Sequence, residues 1–261
     1  MIFMENREVA ISLIVILAIV MAGKMGLVDL SGVPVVGTLF EKPGIKVAVV
    51  GHVSNSLKAM LESEAFRLAG VTYISNIPLS MVLPGSLNSY DEVILQGEQN
   101  CEIEQRRALS DYVKGGKKLI VIGTACTRMA SDANILGWDA GIGGLGDVMP
   151  VKHQGKPDDE SVMAATLRIV ERTHPIAGGI SVYQNFTGAV ADMRPTGSYK
   201  IIALVEPQSS GAGGGAAEIR YALIESTGLL SGKVIYYAFD PGLTSREMFL
   251  NTLLYVKGAK G

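Results

Sequence analysis

Two hydrophobic periods alternate along most of this chain, after an opening stretch that has neither. Val9 to Ala22 is apolar at every position except Ser12, and the run resumes after Gly23-Lys24 through Met25 to Val28. With Lys24 snorkelling, the stretch has about the length a bilayer core requires, and it is apolar on every face. Residues 1–28 are therefore expected to hold a short tail and a transmembrane helix. A cleaved signal peptide ending at Val20-Met21-Ala22 is the rival reading, although Glu5 and Glu8 offset Arg7 in its leader. Gly32, Pro34, Gly37 and Pro43 mark residues 29–44 as a linker, leaving 45–261 as the globular domain.

Beyond the linker the pattern becomes strand and helix in turn. Ile45–Gly51 is a continuous apolar run, the form taken by a buried parallel strand. Leu57, Met60, Leu61, Ala65 and Leu68 recur at helical spacing after a cap at Ser54 or Asn55, and Gly70 ends that helix. Val71–Ser75 predicts a second strand. Tyr90–Gln96 (strand), Cys101–Val113 (helix) and Lys118–Gly123 (strand) then form a crossover unit, which requires parallel strands and a right-handed connection. Past Arg128 the order changes. A short helix is expected over Met129–Leu136, then strands over 148–153, 162–170, 189–193, 200–205, 217–225 and 233–239. A last helix, capped by Thr244, carries Met248, Leu250, Leu253 and Leu254 on its buried face. The fold class is α/β: a doubly wound, mostly parallel sheet with an antiparallel C-terminal extension.

Composition narrows function by exclusion. Hydrophobic residues are 48% and charged residues 18% of the chain, and the net charge of −2 offers no basic field to nucleic acid. Two cysteines are too few for a disulfide scaffold, and no zinc-ligand spacing occurs. Gly141–Gly146 matches the letters of a dinucleotide fingerprint but precedes a strand, so it reads as a connector. Ser209–Gly215 lacks the lysine and helix of a phosphate cradle and reads as a hairpin tip. No cofactor or metal is implied.

Ligand sites in such sheets lie beyond the carboxyl ends of the strands. His52, Gly97, Glu98, Cys126 and Asp240 are the residues expected there. Cys101 and Cys126 should sit on adjacent strand ends, a topology that permits a disulfide and equally permits two separate thiols. A bridge would place the domain in an oxidising compartment. His174 precedes Pro175 and reads as a turn marker; His153 has no partner recognisable from sequence. Glu98, Glu102 and Glu104 suit a helix start. Asn185-Phe186-Thr187 is a glycosylation sequon.

Several phrases resemble a known family. YDEVILQGEQN with LSDYVKGGKKLIVIG is similar to the core of class I glutamine amidotransferase-like domains. THPIAGGI and GKVIYYAFDPGLT resemble the trehalose-utilisation-type branch. The resemblance spans Ile45 to Val256 and implies a flavodoxin-like sandwich. Active members use a cysteine on a strand-to-helix elbow, with a histidine and a glutamate from a late His-x-Glu motif. Cys126 stands near the elbow, but Thr124 and Arg128 occupy the flanking positions where glycines are usual, and Phe239-Asp240-Pro241 occupies the late position. The resemblance is thus to a degenerate member with no catalytic residue, as in the oligosaccharyltransferase accessory subunit.

The expectation is a single-pass protein of the cell membrane with its domain outside. It would bind lipid through the N-terminal helix and act as a non-catalytic accessory subunit beside other membrane proteins. A hydrolase or carbohydrate-binding protein using the carboxyl-end pocket, and a self-assembling cell-surface component, are the alternatives.

Overall fold

The computed structural model describes residues 44–255, apart from residues 99, 133, 140–143, 157–159, 209–217 and 230–231. The expected transmembrane helix, residues 29–43 of the linker and the Ser209–Gly215 tip lie outside the described residues, as do residues 141–143 of the Gly141–Gly146 connector. Among the described residues no helix is long and apolar enough to cross a membrane.

Strand β1 (Ile45–Gly51) is the apolar run, buried at every residue but Lys46. Ser54 caps the next helix by accepting the Leu57 amide at 3.1 Å. The single helix expected to Leu68 is two helices, α1 (Asn55–Leu61) and α2 (Glu64–Leu68). Ser63 takes an extended conformation between them, so the chain restarts rather than continuing. Strand β2 (Val71–Ile77) lies parallel to β1 on one side and β3 (Glu92–Gln96) parallel on the other. Cys101 closes a two-residue strand, β4 (Asn100–Cys101), and α3 (Ile103–Lys114) begins after it. Glu102 fixes that start, its backbone N–H donating to Gln105 Oε1 at 2.9 Å. Strand β5 (Lys118–Ile122) is buried throughout, as is β3.

The expected helix at Met129–Leu136 is absent. Instead β6 (Arg128–Met129) pairs with β4, and Arg128 bridges to Leu136 across a tight turn. Asp132 accounts for this: its side chain accepts the Asn134 amide at 3.0 Å, which favours a turn over a helix. Of the strand expected at 148–153 only β7 (Val151–Lys152) forms. Strand β8 (Glu160–Ile169) and β9 (Tyr183–Ala191) make a hairpin, β9 starting six residues before its expected place. The small strand β10 (Arg194–Pro195) pairs with β7. Then come β11 (Tyr199–Pro207), β12 (Arg220–Ser226) and β13 (Lys233–Tyr237). Helix α4 (Arg246–Leu254) is capped by Ser245, not Thr244, and buries Met248, Phe249, Thr252 and Leu253; Leu250 and Leu254 are half-buried.

Nine of these strands form one sheet in the order β2-β1-β3-β5-β13-β12-β11-β8-β9. The first five are parallel neighbours and the rest antiparallel, so β13 is the seam between the two halves. Right-handed crossovers to the left and right of β1 put α1–α2 and α3 on opposite faces. Helix α4 joins the α1–α2 side, where Phe249 stacks on Phe66 with ring centres 6.3 Å apart. The antiparallel half curls, and the end of β9 returns to the end of β13: Val190 bridges Phe239, and Ala191 N–H donates to Ala238 O at 2.7 Å.

Candidate functional site

The carboxyl ends of β1, β3, β5 and β13 bring together the residues expected there. His52 is exposed just past β1, and its N–H donates to Gln96 O at 2.9 Å. Gly51 (φ 92°) and Gly97 (φ 82°) let the two loops meet backbone to backbone; a Cβ on Gly97 would collide with the His52 carbonyl. Glu98 is exposed, and its carbonyl accepts the Cys126 N–H at 2.7 Å.

Cys126 itself has φ 57°, and among the described residues no other non-glycine has a positive φ. For an L-residue with a side chain that conformation costs about 1 kcal/mol or more. An elbow of this kind usually projects its side chain outward, yet Cys126 is 0% exposed. Its sulfur is bonded to Cys101, with the two Cα atoms 5.1 Å apart. The surroundings hold the elbow by its backbone: Thr127 Oγ1 donates to Thr124 O at 2.7 Å, and Trp138 Nε1 donates to Ala125 O at 2.9 Å. The start of β8 also reaches it, Thr124 Oγ1 donating to Glu160 Oε2 at 3.2 Å. A sulfur committed to a disulfide is not a nucleophile, and no helix begins behind it to stabilise a thiolate.

Asp240 occupies the late position and is structural. Its Oδ1 accepts the Gly242 N–H and its Oδ2 the Ser56 hydroxyl, both at 2.8 Å, which pins the Pro241–Leu243 turn against the start of α1. Asp240→Ala is expected to cost about 1–2 kcal/mol, read by urea unfolding, through loss of both bonds.

A second polar cluster, at the amino ends of the parallel strands, was not apparent from sequence. His174, expected as a turn marker, is 3% exposed. Its Nδ1 accepts the Ile176 N–H at 3.2 Å, which assigns the proton to Nε2, 2.7 Å from Glu225 Oε2. Glu225 also pairs with Lys233 and accepts the Tyr255 hydroxyl at 3.0 Å. Beside it, Lys118 and Glu92 are a fully buried ion pair at 2.8 Å. The signal available in the sequence was a charged residue opening each of three apolar strands, Glu92, Lys118 and Lys233.

These carboxyls respond to pH in opposite senses. Burial alone pushes Glu225 up, but hydrogen bonds from His174, Lys233 and Tyr255 with the Lys233 charge outweigh it and hold the group at about 2. Its stabilisation is present above the ordinary carboxylate value of 4.5 and is lost as pH falls toward 2. Glu92 is pushed up to about 7 by burial, which the charge and hydrogen bond of Lys118 only partly offset. There the folded state holds the proton more tightly, so stability declines as pH rises from 4.5 to 7. Thermal midpoints measured across pH should show both limbs, and Glu92→Gln should remove the upper one.

Solved structures share this architecture. A cytoplasmic protein from Salmonella typhimurium aligns with a TM-score of 0.56 at 16% identity, covering 81% of this chain and 98% of that one. A ThuA-like protein from Bacteroides uniformis aligns at 0.52 and 11% identity, covering 82% and 90%. A beta-galactosidase from Bacillus circulans sp. alkalophilus aligns at 0.57 and 13%, covering 85% of this chain; the chain spans 32% of that enzyme's length. The fold is thus the ThuA-like, class I glutamine amidotransferase-like one expected from the sequence. At these identities the likeness speaks of fold alone. No family model matches the chain, and no curated protein does.

Proposed function

We propose that this chain is a non-catalytic interaction domain held at a membrane by its N-terminal segment, an accessory subunit of a membrane protein assembly with its domain on the external side. One observation carries the reading: the cysteine at the elbow, where this fold would place a nucleophile, is buried and bonded to Cys101. Chemistry at that position needs a thiolate and a proton carrier. The bond removes the first, and Asp240 at the late position is used as a turn clamp rather than a proton carrier. What the carboxyl edge keeps is a rigid, glycine-packed surface carrying His52 and Glu98, suited to binding.

The disulfide also supports the external placement, because such bonds persist in oxidising compartments. The apolar run at Val9–Ala22 supports the membrane tether. Purification of the full chain in mild detergent, followed by identification of bound proteins, tests the proposal. Stoichiometric membrane subunits are expected. A bare monomer that turns over an amide or glycoside, with turnover lost in Glu98→Gln, would instead establish the hydrolase reading.

A further inference from the structure

We infer that Asn185 is a glycan attachment site, and that its sugar covers the outer face of the β8–β9 hairpin. The inference rests on the external placement proposed for the domain.

Sequons are common by chance, so the position of this one in the fold matters. Asn185 and Thr187 alternate with Phe186 along β9, which buries Phe186 and leaves both sequon side chains exposed on the same face. The register puts Asn185 opposite Thr166, Thr187 opposite Ala164 and Ala189 opposite Val162. Those three pairs carry no charge; the face is bounded by Glu160 at one end and Arg168 at the other. Val162, in the pair next to Glu160 on this face, is 77% exposed, among the highest values for a large apolar side chain in the described residues. An uncharged, solvent-facing strand pair is the kind of surface that invites edge and face association unless something covers it.

Asn185 is also presented for attachment. Its Oδ1 accepts the Thr166 hydroxyl at 2.8 Å, which fixes the amide plane, and its Nδ2 has no hydrogen bond among the described residues. In the transfer, Nδ2 forms a bond to the anomeric carbon of an oligosaccharide carried on a polyprenyl phosphate. The anomeric carbon–oxygen bond breaks, the lipid phosphate leaves with the electron pair, and the amide nitrogen loses one proton. The attached sugar then starts beside Thr166 and Thr187 and shields the uncharged pairs up to Val162. The Cys101–Cys126 bond is consistent with the compartment in which such a transfer takes place.

The test uses the full chain purified from the membranes of its native host and digested without reduction. Mass spectrometry should find the peptide carrying Asn185 heavier by a series of sugar residues. Thr187→Val keeps a β-branched, nearly isosteric side chain on the strand but removes the acceptor hydroxyl, so it should abolish the added mass. Thr187→Ser should retain it. A bare wild-type peptide overturns the inference, as does added mass that persists in Thr187→Val. The same digest separates the two proposals. A bare Asn185 peptide alongside the linked Cys101–Cys126 peptide removes the glycan and leaves the external placement standing, whereas a bare peptide with both thiols free removes both.

Discussion

Replacing Lys118 by methionine is expected to destabilise the fold by roughly 3–5 kcal/mol, the cost of leaving one partner of a buried ion pair behind. Lys118 is 1% exposed at the start of β5, and its ammonium has three N–H groups to satisfy. It donates to Glu92 Oε1 at 2.8 Å, to Leu253 O at 3.4 Å and to Thr252 O. The last two are end-of-helix carbonyls with no partner inside α4, so this one side chain joins β3 and β5 to the closing helix. Methionine fills the volume and removes all three bonds. Glu92 is then left buried with both oxygens unmatched, since its Oε2 already has no partner among the described residues. The double change Lys118→Met with Glu92→Leu removes the stranded carboxyl and should recover most of the loss. Urea unfolding of the two variants decides it: a single variant within about 1 kcal/mol of wild type would show that the pair contributes little.

Breaking the Cys101–Cys126 bond is the second large effect. The bridge closes a separation of 25 residues, for which chain-entropy arguments give about 3.5 kcal/mol. Cys101→Ser with Cys126→Ser should lose about that much. The backbone adds a finer expectation, because Cys126 has φ 57° and serine retains the strain of that conformation. Glycine does not, so Cys101→Ser with Cys126→Gly should be more stable than the double serine variant by about 1 kcal/mol. Equal stability of the two double variants would mean the elbow relaxes once the sulfurs are gone.

How much of the fold was legible in the chain differs between its two halves. In the parallel half, Ile45–Gly51, Glu92–Gln96 and Lys118–Ile122 are apolar runs bounded by glycines and caps, so local pattern and tertiary role agree. The break between α1 and α2 was hidden because Ala65 and Leu68 continue the spacing of Leu57 and Leu61 across it. In the antiparallel half, Gln184, Asn185, Thr187 and Gly188 conceal the first part of β9, whose place is set by pairing with β8 rather than by its own apolarity. The return of β9 to Phe239 depends on sheet curvature, which no local pattern encodes.

The site divides the same way. His52, Gly97, Glu98, Cys126 and Asp240 follow strand ends and could be placed by topology alone. The His174–Glu225 and Lys118–Glu92 contacts join residues 51 and 26 positions apart and depend on the full strand order. The expected short helix after Cys126 failed on a single side chain, Asp132, whose turn-forming bond outweighed the apolar spacing around it.

A non-catalytic role requires an elbow sulfur that is not available for chemistry. Alkylation of the folded, unreduced full chain with iodoacetamide, read by intact mass and peptide mapping, addresses that directly. No adduct at Cys126 is expected until a reductant and denaturant are both supplied. An adduct on Cys126 in the native protein would contradict that role and return the elbow to the nucleophiles.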